Sequence, residues 1–170
     1  DSDHMDGLLH IASRFNPREF WYNGDRAESE VFKALMETVR SRGMIERLPS
    51  DLEGGREIGG VRIELLHPEG EESLQGVSGM PLQWNDRSLV LRISYGRNSF
   101  LFPGDLENEG EAVGVSRKRP VLRSDVLLAP HHGSRRSSSL LFLQEVKPRF
   151  CVISARSSSP PRFPHPETLG

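Results

Sequence analysis

The sequence predicts a mixed α/β fold, in which mixed sheets are covered by helices, on three observations. Helical and strand-like periodicities alternate early in the chain, an antiparallel pair follows in the middle, and strand, helix and strand alternate again near the end. In order, Met5, Leu8, Leu9, Ala12 and Phe15 recur at helical spacing until Pro17 stops them, and the polar cluster at the start reads as that helix's cap. Arg18 to Tyr22 suits a strand. Asp25 followed by Glu28 resembles a capping box for a second helix, whose stripe of Val31, Phe32, Leu35, Met36 and Val39 ends at Gly43. Met44 to Leu48, Val61 to Leu66, Ser88 to Tyr95 and Ser99 to Phe102 read as strands, the last two joined as a hairpin through Gly96, Arg97 and Asn98. Residues 68–84 read as a loop, and 106–124 as a polar stretch with Arg117, Lys118, Arg119 and Arg123 clustered. Val126 to Ala129 is a short buried strand, Ser137 to Val146 a helix, and Arg149 to Ser154 the last strand.

At 170 residues the chain reads as one domain, 1–170, large enough to bury a core. Its 22 basic and 24 acidic residues leave a net charge of -2, so no global field advertises a nucleic-acid partner, and only a local patch serves that purpose. Cys151 is the single cysteine, so no internal disulfide is expected, and its place in Phe150-Cys151-Val152-Ile153 makes it a core residue. No apolar run approaches the length of a membrane span, and no signal-peptide pattern is present. The chain opens directly on a dense polar cluster and stops at Gly170 just after "HPETL" begins a further helix, so it reads as a piece of a longer protein.

Chemistry-bearing residues gather at the ends of these elements. Asp1, Asp3 and His4 precede the first helix. Asp105 follows the strand ending at Phe102, His131 and His132 follow the next in "DVLLAPHHGSRRSSS", and His165 stands between two prolines beyond the last. Loop positions at strand ends are where a rigid scaffold holds site residues. If those ends share one rim, the converging carboxylates need a compensating cation, and mixed nitrogen and oxygen donors suit Zn²⁺, Mn²⁺ or Fe²⁺ better than Ca²⁺. Each residue also has a plain alternative: Asp3 as an N-cap, Asp105 as a turn residue, His165 as an exposed side chain. His67 and His10 lack acidic company and read as structural.

"DSDHMDGL" resembles the tail of the metallo-β-lactamase motif His-x-His-x-Asp-His-x-Gly-Gly, in the variant where the second histidine is aspartate. "NDRSLVLRISYGRNSFLFPGDLENEGE", "DVLLAPHHGSRRSSSLLFLQEVKPRFCVIS" and "PHPETL" are similar, in order and spacing, to the metallo-β-lactamase-like domain of ComEC-type DNA-internalisation (competence) proteins. The resemblance implies an αββα sandwich, here lacking its first strands. It assigns Asp3 and His4 to one metal site, Asp105 to a bridge between two metals, and the His131 and His132 pair to the closing ligand, without deciding which of the pair binds.

Departures from the pattern shape the expectation. The first motif histidine falls outside this chain, Asp1 takes the place of the second, Asn85 stands where relatives carry histidine, and Asp6 where glycine is usual. One site is kept and the other is poor in imidazole, which implies one firmly bound metal, or a second site preferring a hard ion such as Mn²⁺ over Zn²⁺. The implied activity is phosphodiester hydrolysis of single- or double-stranded DNA, with Asp3, Asp105, His131 and His165 as catalytic groups. Asn85, Ser134, Arg135 and Arg136 are assigned to substrate. The implied parent is an inner-membrane channel protein with this domain on the extracytoplasmic side. Two other readings stand beside it: a free-standing hydrolase of small phosphoesters, and a degenerate domain that binds DNA or serves only as structure.

Overall fold

The computed structural model describes residues 2–70, 74–118, 121–155 and 163–169, and in the first turn it describes the backbone of Ser2 and Asp3 without their side chains. The mixed α/β class is the one observed, with helices flanking a two-stranded and a six-stranded sheet among the described residues. The chain divides into two compact units, 1–51 and 52–170.

In the first unit, α1 (Ser2–Phe15) and α2 (Glu30–Ser41) accompany the parallel pair β1 (Glu19–Trp21) and β2 (Ile45–Arg47). Ala12, Leu35, Val39 and Met44 form its core. The expected capping box is displaced. Ser29, not Asp25, caps α2, its hydroxyl accepting from the Phe32 amide, while Asp25 is occupied by the Asn23 side chain. Ser29 directly precedes the first helical residue, Glu30, where a hydroxyl reaches a free amide of the first turn, and Asp25 lies five residues before it. The opening cluster is corrected too: α1 has begun by Ser2, so Asp3 and His4 lie within its first turns instead of before it.

In the second unit β3 (Arg56–Ile58), β4 (Val61–His67), β5 (Val90–Tyr95), β6 (Asn98–Phe102), β7 (Val126–Leu128) and β8 (Phe150–Val152) lie in sequence order across one sheet. The first four strands run antiparallel and β6, β7 and β8 run parallel. Parallel neighbours need crossovers, and helices supply them: α3 (Asn108–Lys118) between β6 and β7, and α4 (Leu140–Val146) between β7 and β8. Leu101 and Leu127 on the sheet pack with Val115, Leu122, Phe142 and Val146 into one buried cluster.

Three differences from the sequence reading have physical causes. The polar stretch after Leu106 holds α3, whose buried face is Gly110, Glu111, Val113, Gly114 and Val115 and therefore carries no stripe of large apolar residues. Helix α4 starts at Leu140 because Ser139 caps it, accepting from the Phe142 amide. Cys151 is exposed instead of buried, since β8 is the edge strand of the sheet and its three residues are all exposed. The short β3, pairing Ile58 with Val61 across Gly59 and Gly60, was not foreseen at all.

Candidate functional site

The site lies along the edge where the parallel strands end. Phe100 pairs with Val126 and Leu128 with Val152, so the loops after β6, β7 and β8 emerge side by side. Because β5 is antiparallel to β6, the segment leading into β5 arrives at the same edge. Ligand sites favour the carboxyl ends of strands in open sheets for this reason: a rigid sheet delivers several loops to one place.

Two backbone ties draw the loops together. The His131 amide donates to the Gly104 carbonyl at 3.0 Å, and the His165 amide to the Gly133 carbonyl at 2.8 Å. Gly104 has a positive φ of 61° and Gly133 one of 78°, and a Cβ on either would meet Ser88 Cβ at 2.9 Å or Pro164 Cβ at 2.8 Å. Neither turn accepts a side chain without a shift. His131 and His132 themselves hold positive φ values of 45° and 56°, a conformation non-glycine residues adopt at a cost and retain where surroundings over-determine it.

The side chains form two histidine–carboxylate pairs. His132 Nδ1 is 2.7 Å from the Ser154 carbonyl oxygen. A carbonyl only accepts, so neutral His132 carries its hydrogen on Nδ1 and turns the Nε2 lone pair toward Asp105 Oδ1, 3.6 Å away. Asp105 is buried, and its amide donates to Ser88 Oγ at 3.1 Å. The second pair is His131 Nδ1 and Glu107 Oε1, at 2.9 Å. Glu107 also takes Arg136 Nη2 at 2.6 Å on Oε2 and Asn85 Nδ2 at 3.4 Å on Oε1. One carboxylate thus ties an imidazole, a guanidinium and an amide. The ring of Phe163 packs against both histidines, with centroids 5.5 and 6.1 Å away.

The other predicted residues stand as follows. Asp1 and the Asp3 side chain lie outside the described residues; His4 is exposed on α1 of the first unit. Ser134 is buried, its hydroxyl accepting from the Arg136 amide, and Arg135 reaches Glu167 at 3.7 Å with both side chains exposed. His165 Nδ1 accepts from the Glu167 amide at 3.3 Å, so its Nε2 bears the hydrogen when the ring is neutral. His67 is buried, with Nε2 2.7 Å from the Asp86 carbonyl oxygen, and burial pushes its pKa down. That is the satisfied histidine the sequence suggested. Of the basic cluster, Lys118 pairs with Glu69 and Arg119 lies outside the described residues. Sequence reasoning missed Glu107; its signal was the acidic residue two places after Asp105, at the threshold of a helix.

Among the described residues no helix is long and apolar enough to cross a membrane. No family model matches the chain. It is 34% identical over 109 residues to ComE operon protein 3 of Bacillus subtilis, a match covering 64% of this chain and 13% of that protein. It is 36% identical over 96 residues to competence protein ComA of Neisseria gonorrhoeae, covering 56% of this chain and 13% of that one. With recombination protein 2 of Haemophilus influenzae it shares 37% identity over 81 residues, 48% of this chain and 10% of the relative. The matched region is therefore a small part of each of these proteins, and the likenesses set this chain beside a competence family.

Proposed function

We propose that this chain is the metal-dependent phosphodiesterase domain of a DNA-uptake protein, with a metallo-β-lactamase-like fold. The observation that carries the reading is the pairing of His132 Nε2 with Asp105 Oδ1 at 3.6 Å, while His132 Nδ1 is already committed to a backbone carbonyl. Two electron-pair donors held this close are reconciled by a proton or a cation. An imidazole fixed through its other nitrogen is also how proteins present a histidine to a metal. The donor set fits Mn²⁺ or Zn²⁺, one ion or two, and the Asp3 and His4 of the first unit enter this reading by the resemblance alone. When bound, such an ion polarises a phosphoryl oxygen and lowers the pKa of a water.

The chain's own groups supply the remainder. His131, donating from Nδ1 to Glu107, keeps Nε2 free of hydrogen to accept a proton from the attacking water. His165 presents Nε2–H to the departing oxygen. Arg136, anchored by Glu107, turns its other N–H groups to a phosphate. The competence relatives support DNA as the substrate and the membrane channel of a longer parent as the partner.

The test is hydrolysis of single- and double-stranded DNA by the full-length protein, titrated with Mn²⁺ and Zn²⁺ beside Asp105→Ala. Metal-dependent cleavage that Asp105→Ala abolishes is the expected result. No cleavage with either ion, from folded protein, would leave the DNA-binding or structural domain as the surviving reading. Cleavage that persists in Asp105→Ala places the chemistry elsewhere.

A further inference from the structure

The search for other sites leads to Trp84, one of two tryptophans in the chain. Its partner in number, Trp21, is half-buried with its indole N–H on Glu19. Trp84 is 66% exposed. A single exposed apolar side chain is ordinary by itself. Three further observations make this one unusual.

First, the indole is backed by a cation: the Arg87 guanidinium carbon lies 5.7 Å from its ring centroid. Second, the residue opens a fixed 3-10 turn, Asn85–Arg87, with the Arg87 amide donating to the Trp84 carbonyl at 3.1 Å. The buried Asp86 bolts that turn to the start of α3, its Oδ1 accepting from the amides of Glu107 at 2.8 Å and Gly110 at 2.9 Å. Third, the next residue is Asn85, whose side chain rests on the Glu107 carboxylate that also holds His131 and Arg136. An open aromatic face thus stands on a rigid mount, one residue from the groups assigned to a phosphate.

We propose that Trp84 is a stacking platform for a nucleobase of single-stranded DNA, whose backbone phosphate is met by Arg136. Stacking on an exposed ring with a guanidinium behind it is the sequence-tolerant way to hold a single strand. A duplex keeps its base faces in its own stack and cannot use the ring without unpairing. This deepens the phosphodiesterase reading by naming its strand preference, and it rests on that reading for the role of Arg136.

The test is binding without turnover. Fluorescence anisotropy of a labelled oligothymidylate, its abasic counterpart with the same number of phosphates, and a duplex of equal length would be measured in EDTA on the full-length protein. The expected order is oligothymidylate tightest. Trp84→Ala should lose about tenfold in affinity for oligothymidylate, the worth of one stacked base, and bind the abasic strand as the parent does. Trp84→Phe, which keeps a ring on the same backbone, should restore most of the difference. The proposal is overturned if the parent binds the abasic strand or the duplex as well as oligothymidylate, or if Trp84→Ala preserves the preference. Because no metal or cleavage enters, these outcomes are read whether or not the chain proves to be a nuclease.

Discussion

Glu107 and Glu111 lie four residues apart at the start of α3, both nearly sealed from water, and they hold opposite kinds of partner. Glu107 faces the rim and grips side chains: the imidazole of His131, the guanidinium of Arg136 and the amide of Asn85. Glu111 faces the sheet's helical layer and grips backbone, accepting from the amides of Ser138 at 2.5 Å and Ser139 at 2.8 Å, just where Ser139 caps α4. Side chains can be rearranged when a substrate arrives; the entry into a helix cannot. The same residue type, shifted by about one turn of helix, holds the side chains of the proposed site in one place and the architecture in the other.

The sharpest way to break this contrast is Glu111→Ala. It removes a fully buried side chain, leaves two partly buried amide donors without their acceptor, and should cost about 2–4 kcal/mol of stability. Urea unfolding measures it. A loss no larger than that of an exposed glutamate, such as Glu109, would show that the Glu111 contacts are incidental.

A gentler test uses pH. Burial pushes the Glu111 carboxyl above the ordinary carboxylate range, with the amides and hydroxyl of Ser139 and the Ser138 amide pulling the other way. A pKa raised on folding means the folded state holds the proton more tightly than the unfolded chain. The stability from this group is therefore complete below the ordinary carboxylate pKa and is lost as pH rises through the raised value. Glu111→Gln does not titrate. The advantage of the parent protein over Glu111→Gln should be largest in acid and shrink as pH rises, in unfolding midpoints followed from about pH 4 to 8. An advantage that grows with pH would show that the amides bind the carboxylate form better than burial opposes it.

The two glutamates also show what was legible in the sequence. In "GDLENEGE" the acidic residues 105, 107, 109 and 111 alternate without a mark to tell a ligand from a cap, because their roles follow from the helix that begins at Asn108. That helix was hidden by its small buried face, Gly110 and Gly114 among it. Asp105 and the histidine pair were legible as strand-end residues because apolar runs of β-character mark β6 and β7 plainly, and the parallel pairing of those strands brings them to one edge. That His132 pairs with Asp105, and His131 with Glu107, was not legible: both histidines adopt positive φ, which no sequence pattern announced.

The smallest change sharpens the contrast furthest. Glu107→Gln keeps the volume of the side chain and should cost less stability than Glu111→Ala, since the Arg136 end of its ion pair is largely exposed and can turn to water. Its effect on the rim is qualitative, because an amide cannot replace a carboxylate that accepts on both oxygens. If the amide oxygen serves His131 and Asn85, the NH₂ group faces the Arg136 guanidinium, donor against donor. If the amide turns over, its NH₂ donates to His131 Nδ1, and the hydrogen of the imidazole must move to Nε2, where the proposed hydrolysis needs a lone pair. Either way the pair of imidazole and guanidinium is undone while the fold persists. Long-range ¹H–¹⁵N NMR reads the His131 tautomer directly, and turnover should fall about tenfold to a hundredfold, the usual cost of removing an orienting partner. If Glu107→Gln retains the parent tautomer and the parent rate yet destabilises the protein as Glu111→Gln does, the two carboxylates do one job and the contrast between them fails.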